Sequence, residues 1–259
     1  MQNKIVVVKI GGSTLDSKDT TIRDLATIQR EGVSVVVVHG GGKIASKWLA
    51  KFGLPSRFVK GLRVTDKESL DVVTAVFAGL VNKELVAAIH NVGGKAVGLS
   101  GGDGNLLWSK IQSPELGYVG NIIQVNHQII EVVINAGYIP VIAPISLGSI
   151  DGHTTLLNVN GDTVAGKIAA SLGAEKLIFL TDVNGIYNSS GDLLPKLSVT
   201  EAKELLVLGA ASGGMIPKIN ACVEAAITVP VFHIINGTKP NALIEVLNKN
   251  TGGTIIESE

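Results

Sequence analysis

The sequence is poor in cysteine, in aromatic residues and in net charge. Cys222 is the only cysteine among 259 residues, so no disulfide can form within the chain and no cysteine-based metal cluster is available. That composition favours a reducing compartment. Aromatic residues make up 4% of the chain, too few for a base-stacking surface. The 22 Lys and Arg balance the 22 Asp and Glu, so no charge excess points to nucleic acid or to a membrane surface as a partner.

Long hydrophobic runs and a leader segment are also missing. No apolar run approaches the ~18 residues that suggest a membrane-spanning helix. Lys4 leads straight into a short apolar strand, without the h-region and cleavage site of a signal peptide. We therefore expect a cytoplasmic protein with no membrane partner. The length suits one large α/β domain or two lobes.

Glycine is abundant: 31 of the 259 residues are glycine, a larger share than the ~7% of average proteins. The excess lies in loops after apolar runs. The run 5–8 is followed by Lys9-Ile10-Gly11-Gly12, and the run 35–38 is followed by His39-Gly40-Gly41-Gly42-Lys43. Glycine lets a ligand approach backbone N–H groups, and a nearby lysine adds positive charge. Either loop alone reads as a tight turn. The pair predicts a phosphate held between two strand ends.

The order of elements predicts an α/β fold with a mostly parallel sheet covered by helices on both faces. Ligands of such sheets bind beyond the carboxyl ends of the strands, where the glycine and polar clusters fall. A capping box at Thr65 and Glu68 predicts the start of one long apolar helix that continues to about His90. The segment 105–124 predicts a β-hairpin excursion.

A further glycine pattern, Gly161-Asp162-Thr163-Val164-Ala165-Gly166-Lys167, matches the first part of a Walker A loop. The next residue is Ile168, where a P-loop needs a hydroxyl for Mg²⁺, and the segment lies within a helical pattern. We therefore predict that the match is coincidental and that the protein is not a P-loop enzyme.

Polar side chains at alternate positions precede that helix, namely Asn158, Asn160 and Asp162. In an extended chain they would share one face, where the amides can donate to a carboxylate and the aspartate can hold lysines. The alternative is an Asx turn that caps the helix. Arg63 presents a planar fork suited to a carboxylate. Lys218, one turn after Gly213-Gly214, is otherwise an ordinary helix lysine.

Taken in order, these motifs resemble the amino-acid kinase family. The motifs are Lys9-x-Gly-Gly, His39-Gly-Gly-Gly, Gly61-Leu-Arg-Val-Thr65, Asn158-x-Asn-x-Asp162, Asp182-Val-x-Gly185 and Gly214-Met-x-x-Lys218. The resemblance runs from Lys4 to the end of the chain. It implies one domain, a three-layer αβα sandwich around an open, mostly parallel sheet. Residues 1–172 would bind the acyl acceptor and residues 173–259 would bind ATP.

The resemblance also implies a reaction and a set of site residues. The Gly61–Thr65 and Asn158–Asn160 motifs are typical of members that take an N-acetyl-amino acid, and they imply transfer of the γ-phosphoryl of ATP to the side-chain carboxylate of N-acetyl-L-glutamate, the second step of arginine biosynthesis. Mg²⁺ would be held mainly by the phosphates, without a protein metal site. The implied residues are Lys9, Lys218 and Asp162 for catalysis; Gly41, Gly42, Arg63, Asn158 and Asn160 for the acceptor; Gly11 and Gly12 for phosphate; and Thr181, Asp182, Val183, Asn184, Gly185, Ile186, Tyr187, Ala211, Ser212, Gly213, Gly214 and Met215 for the nucleotide.

Two departures from the family pattern leave alternatives open. The family usually has alanine at the position of Gly161. Glycine there resembles related kinases that act on glutamate or 2-aminoadipate held on a carrier protein, although those kinases usually lack the Arg63-Val-Thr context.

The extra N-terminal helix of arginine-inhibited hexameric members is not found before Lys4, so we expect an arginine-insensitive homodimer built on the helix near 66–90. A non-catalytic regulator on the same fold is disfavoured because both lysines and Asp162 are present. Family members that make carbamoyl phosphate or phosphorylate UMP or aspartate are further alternatives, disfavoured by the Arg63 segment.

Overall fold

The computed structural model describes residues 4–12, 14, 19–211 and 213–258. Its strands are β1 Ile5–Ile10, β2 Ser34–His39, β3 Phe58–Val59, β4 Leu62–Arg63, β5 Ala96–Ser100, β6 Leu107–Ile111, β7 Gly120–Val125, β8 Ile139–Ala143, β9 Ile145–Ile150, β10 His153–Asn158, β11 Lys176–Thr181, β12 Lys196–Ser198, β13 Val231–Asn236 and β14 Thr254–Glu257. Its α-helices are α1 Asp19–Arg30, α2 Gly42–Lys51, α3 Lys67–Thr74, α4 Asn82–Asn91, α5 Gln128–Asn135, α6 Gly161–Leu172, α7 Val199–Val207, α8 Met215–Ala225 and α9 Ala242–Lys249.

A central sheet of eight strands organises the molecule, in the order β12-β14-β13-β11-β1-β2-β8-β5. Neighbouring strands run parallel except β13 and β14, which are antiparallel. Five consecutive residues of β1 and of β2 are buried, as expected for strands covered on both faces. The predicted mostly parallel sheet is confirmed, and the two glycine loops leave adjacent strands at the same edge.

Helices cover both faces and form two apolar cores. On one face α1, α4 and α9 contribute buried residues such as Leu25, Leu85 and Leu243. On the other face α5, α6 and α8 contribute Ile130, Ile168 and others. The three-layer αβα arrangement predicted from the sequence is therefore confirmed.

A second sheet of four strands, in the order β10-β9-β6-β7, lies beside the carboxyl edge of the first. The predicted excursion is the antiparallel pair β6 and β7. The antiparallel pair β9 and β10 was not anticipated from the sequence. Strand β10 ends at Asn158, so this sheet sets the position of the segment Asn158–Asp162 that follows it.

The long helix departs from its prediction at both its start and its middle. Its N-cap is Asp66, whose Oδ1 accepts from the Ser69 N–H at 2.8 Å. The capping box at Thr65 is wrong, because the Thr65 N–H donates to Leu116 O and its hydroxyl donates to Arg63 O. The distant Leu116 and the neighbouring Arg63 thus take the groups that a cap would use. A π-helical turn at Ala75–Val81 separates α3 from α4.

The helical stretch Lys67–Asn91 passes a membrane-span criterion by length and composition, with a mean hydropathy of 1.7 over an 18-residue window. A core helix of a soluble protein passes the same criterion, so the finding is weak evidence for a span. Leu70, Val73, Leu85 and Ile89 of this stretch are buried in the protein. Of that stretch of 18 residues 39% is buried, and the exposed positions of the helix include the charged residues Asp71, Lys83 and Glu84.

The Walker-like pattern has a packing explanation. Gly166 faces Ala221 where α6 crosses α8, and a Cβ at Gly166 would lie 3.1 Å from both the Cβ and the carbonyl oxygen of Ala221. The second glycine of the pattern therefore serves close helix–helix contact. Lys167 points outward and pairs with Glu224 at 2.9 Å. Neither residue forms a phosphate loop.

Two buried histidines, His39 and His233, give a testable pH dependence of stability. Burial lowers the pKa of each imidazole from 6.5 to about 4, and for His39 the positive charges of Lys9 and Lys83 add to that effect. The unfolded chain takes up protons as the pH falls below about 6.5, whereas the folded chain keeps both rings neutral until about pH 4. Above about pH 6.5 the two histidines therefore do not lower the free energy of unfolding. By pH 5 each of them should have lowered it by about 2 kcal/mol.

The measurement is urea unfolding at about pH 7.5, 6 and 5. A His233→Asn variant should lose roughly half of the decrease, because only His39 then titrates in this window. A free energy of unfolding that stays constant from pH 7.5 to 5 would contradict the prediction.

Candidate active site

An ion-pair bridge forms the centre of the site. Asp162, in the first turn of α6, is 4% exposed. Its Oδ1 lies 2.7 Å from Lys9 Nζ, and its Oδ2 lies 3.2 Å from Lys218 Nζ. Burial by itself would raise the pKa of the Asp162 carboxyl, but the two ammonium groups outweigh burial and lower it. The helix N-terminus adds a further favourable field for the carboxylate.

The two lysines reach Asp162 from separate parts of the fold. Lys9 is near the end of β1, while Lys218 lies in the first turn of α8 and also donates to Gly214 O at 3.0 Å. Burial lowers the pKa of Lys218, and the Asp162 carboxylate opposes that shift. The bridge therefore sets one carboxylate between two lysine side chains, each within ion-pair distance.

Two cavities meet at this bridge. One has a volume of about 190 Å³ and is lined by Lys9, Asp162 and both glycine loops. The other has a volume of about 320 Å³ and is lined by Lys218 together with the loop after β11. The Lys218–Asp162 contact of 3.2 Å joins their walls. A group passing from one cavity to the other would pass the two ammonium groups.

The glycine loops close one end of the smaller cavity. A Cβ at Gly12 would lie 3.4 Å from the backbone nitrogens of Gly41 and Gly42, so the loops are in contact through backbone alone. Within the described residues, the N–H groups of Gly12, Gly41 and Gly42 donate to no backbone carbonyl. The Gly11 N–H instead donates to Leu180 O at 3.1 Å, so Gly11 shapes the loop. Three backbone donors thus remain for an anion.

Arg63 forms the opposite wall of the smaller cavity. Its Nη1 donates to Ser56 Oγ at 2.7 Å, and its Nη2 donates to Gly42 O and to Ser46 Oγ at 2.9 and 2.8 Å. The guanidinium carbon also lies 4.7 Å from the centre of the Phe58 ring. A guanidinium has five N–H donors, so these three bonds leave two for a ligand. Burial lowers the pKa of Arg63.

The asparagines hold different positions from the extended arrangement considered above. Only Asn158 belongs to a strand, and its Nδ2 donates to Thr65 Oγ1 at 3.1 Å. Asn160 is the N-cap of α6, where its Oδ1 accepts from the N–H groups of Asp162 and Thr163. The capping alternative therefore applies to Asn160. All three residues still line the smaller cavity, because the chain turns from strand to helix around it.

The predicted nucleotide residues fall into three groups. Nine of them line the larger cavity, namely Thr181, Asp182, Val183, Gly185, Ile186, Tyr187, Ala211, Gly214 and Met215. Asn184 and Gly213 do not line it, and Asn184 Oδ1 instead accepts from Asn236 Nδ2 at 3.1 Å. Ser212 lies outside the described residues.

Several lining residues were missed from the sequence. Leu205 and Ala210 line the larger cavity, and Phe58, Phe77, Val119 and Pro144 line the smaller one. Ser46 and Ser56 hold Arg63. Isolated apolar residues and serines carry no sequence signal for a site. Among the described residues, no group of three or more His, Cys, Asp or Glu is placed to hold a metal ion.

Comparisons with known proteins agree with this geometry. The model of the amino acid kinase family matches residues 4–236. The acetylglutamate kinase of Dehalococcoides mccartyi is 47% identical over 99% of this chain and 96% of its own, and that of Nostoc punctiforme is 47% identical over 98% and 87%. The solved structure of smu.665 from Streptococcus mutans superposes with a TM-score of 0.85 at 28% identity, over 98% of this chain and 99% of its own. With its two cavities and bridging lysines on an αβα sandwich, the chain belongs to the amino acid kinase family.

Proposed function

We propose that this protein transfers the γ-phosphoryl group of ATP to the side-chain carboxylate of N-acetyl-L-glutamate, giving N-acetyl-L-glutamyl 5-phosphate and ADP. The observation that carries the proposal is the Lys9–Asp162–Lys218 bridge between two cavities. Kinases of this family use ATP. Relatives 44–47% identical over nearly the whole chain are named acetylglutamate kinase, which supports the acceptor and a role in arginine biosynthesis.

The smaller cavity is the proposed acceptor site. The two remaining N–H groups of Arg63 are available to the α-carboxylate, and Asn158 lines the same cavity. Phe58, Phe77 and Val119 give the cavity apolar surface for the acetyl group. A volume of about 190 Å³ suits a small amino-acid derivative. The side-chain carboxylate would then point towards Lys9 and the glycine loops.

The larger cavity is the proposed nucleotide site. Its apolar wall includes Leu205 and Met215, which suits a base, while Asp182 and Lys218 supply polar groups near the phosphates. The ATP phosphates themselves would hold Mg²⁺, which would offset part of their negative charge. We propose two lobes on the shared sheet, residues 1–172 for the acceptor and residues 173–259 for ATP.

The chemistry requires positioning and charge neutralisation. The acceptor carboxylate is ionised at pH 7, so no general base is needed. One of its oxygens attacks the γ-phosphorus. At the same time the bond from the γ-phosphorus to the oxygen that bridges it to the β-phosphorus breaks, and ADP leaves with the electron pair. Lys9 and Lys218 offset the negative charge of the transferring group, Asp162 holds both ammonium groups in place, and the N–H groups of Gly12, Gly41 and Gly42 bind its oxygens.

A carrier-bound acceptor was the alternative suggested by Gly161. A Cβ at this residue would lie 3.3 Å from the carbonyl oxygen of His39 and 3.5 Å from Cε of Lys9. The missing side chain therefore borders the lysine and not the Arg63 wall that would recognise the acceptor. Gly161 nevertheless lines the same cavity as Arg63, so the acceptor assay described below decides between a free and a carrier-bound acceptor.

We propose a cytoplasmic homodimer that pairs through the long helix. Ala75, Gly79 and Leu80 are exposed on successive turns of this apolar helix, and small residues allow a second copy to approach closely.

The reaction is tested by incubating the protein with Mg-ATP and hydroxylamine, which traps acyl phosphates as hydroxamates. N-acetyl-L-glutamate should give hydroxamate, whereas the other three acids, glutamate, N-acetylaspartate and 2-aminoadipate, should give little. Glutamate and 2-aminoadipate lack the acetyl group for the apolar wall, and the side chain of N-acetylaspartate is one methylene too short to bring its carboxylate to Lys9. Hydroxamate from free glutamate in preference to its N-acetyl form would contradict the assignment. Absence of product from every free amino acid would favour a carrier-bound acceptor.

The lysine roles are tested with Lys9→Met and Lys218→Met. Each removes one ammonium group that acts in the transition state, so kcat should fall about 10²–10³-fold with smaller changes in KM. Lys47→Met is the matched control, since Lys47 is an exposed lysine of α2 that lines neither cavity. Near-full kcat in Lys9→Met would refute the catalytic assignment.

The dimer is tested by sedimentation equilibrium, which should give about twice the chain mass of 26.9 kDa. Leu80→Asp places a charge on the proposed interface and should give monomers. Val132→Asp, at a 63% exposed apolar residue of α5, is the control and should remain dimeric. A monomeric wild-type protein would overturn the proposal.

A further inference from the structure

A buried polar chain links the long helix to the second glycine loop. Asn82 and His39 are both fully buried. Asn82 Nδ2 lies 2.8 Å from Val141 O, 3.3 Å from Leu99 O and 3.2 Å from His39 Nε2. His39 Nδ1 lies 2.8 Å from the carbonyl oxygen of Gly40. The established contacts of the lysine bridge do not use either residue.

These contacts fix the proton on His39. The Asn82 amide nitrogen faces two carbonyl oxygens, and its Oδ1 accepts from Lys83 Nζ at 3.1 Å, so the orientation of the amide is determined. A carbonyl oxygen only accepts, so His39 Nδ1 must donate to Gly40 O, and Nε2 of the neutral ring is left as an acceptor that faces the Asn82 amide nitrogen. The ring proton is therefore on Nδ1, which donates to Gly40 O. Burial keeps the ring neutral, since it lowers the pKa to about 4.

The orientation of one peptide follows from this bond. In a trans peptide the C=O of Gly40 and the N–H of Gly41 point in opposite directions. When His39 holds the carbonyl oxygen, the Gly41 N–H is turned away from His39. The Gly41 nitrogen then faces the other loop, 3.4 Å from the Cβ position of Gly12.

The π-helical turn aligns the supports of this peptide. A Cβ at Gly41 would lie 3.0 Å from the ring of Phe77, so Phe77 packs directly against the loop. Phe77 and Asn82 are five residues apart, a spacing that α-helical geometry sends to different faces. The i→i+5 bonding of a π-helix brings such residues towards one face. Both therefore reach the same glycine loop.

Strand β5 has a matching adaptation. A Cβ at Gly98 would lie 1.9 Å from Asn82 Oδ1, so the amide occupies space that any other residue would fill. The Asn82 side chain is thus accommodated by a missing side chain as well as by its hydrogen bonds. This independent feature indicates that its position is built into the fold.

We propose that Asn82 and His39 are positioning residues that aim the Gly41 N–H at the phosphoryl group in transfer. The inference rests on the proposed phosphoryl transfer at the glycine loops. Asn82 selects the Nδ1-protonated ring, the ring holds the Gly40 carbonyl oxygen, and that peptide presents its N–H to the anion. Neither side chain touches substrate.

The variants His39→Asn and His39→Gln separate positioning from packing. The Asn amide can take the place of Nδ1 and donate to Gly40 O, whereas the Gln amide reaches the place of Nε2. In the hydroxamate assay kcat should fall about 10–100-fold in His39→Gln but stay within about threefold of wild type in His39→Asn, with KM for ATP and acceptor little changed in both. Equal losses in the two variants, or a change confined to thermal stability, would overturn the inference.

Two measurements do not depend on turnover of N-acetylglutamate. Long-range ¹H–¹⁵N NMR of the wild-type protein at neutral pH should show His39 protonated at Nδ1, and a ring protonated at Nε2 would overturn the inference. Calorimetry with Mg-ADP and aluminium fluoride, which mimics the phosphoryl group in transfer, should show weaker binding in His39→Gln than in His39→Asn. If His39→Gln does not fold, Asn82→Leu provides the same comparison with wild type.

If wild type forms no hydroxamate, the proposed reaction fails while the NMR and aluminium fluoride results still decide the positioning role. If wild type turns over normally and both His39 variants bind aluminium fluoride equally, the positioning role fails while the proposed reaction stands.

Discussion

The buried contact between Asp162 and two lysines is the constraint on which the site depends. Taking three charges out of water is unfavourable unless they compensate one another closely. Here α6 supplies the carboxylate, β1 supplies Lys9 and α8 supplies Lys218, so the ion pairs fix three elements relative to one another. The same requirement leaves excess positive charge between the cavities, where a polyphosphate would compensate it. The electrostatics that hold the elements together therefore also favour the proposed chemistry.

The parallel sheet makes this convergence possible. Strands β1, β2 and β11 are neighbours, so the glycine loops and the nucleotide loop emerge at one edge although they are far apart in sequence. Backbone atoms approach one another there because Gly12 and Gly41 lack side chains. Beneath the loops, Phe77 of the π-helical turn packs against Gly41, and Asn82 is held by the hydrogen bonds described above. Preorganised backbone donors are effective because they need not reorient during the reaction.

Some site features could be predicted and others could not. Glycine loops and lysines at strand ends have a direct physical meaning, so Lys9, Asp162 and Lys218 could be named as candidates. Thr65 was misassigned as a helix cap because local pattern does not show that Leu116 and Arg63 would take its hydrogen-bonding groups. The role of Asn82 has no local sequence signal, since an asparagine within an apolar helix resembles any solvent-facing residue.

The sequence by itself determined the alternation of strands and helices, the positions of the glycine loops and the absence of disulfides, because hydrophobic period and glycine conformational freedom are local properties. Only the tertiary structure decided which charges meet, which Asn caps α6 and which donors remain free for a ligand. Those outcomes depend on distances in space between residues that are as far apart in the sequence as Lys9 and Lys218. Such distances are set by strand order and helix packing, which no short stretch of sequence specifies.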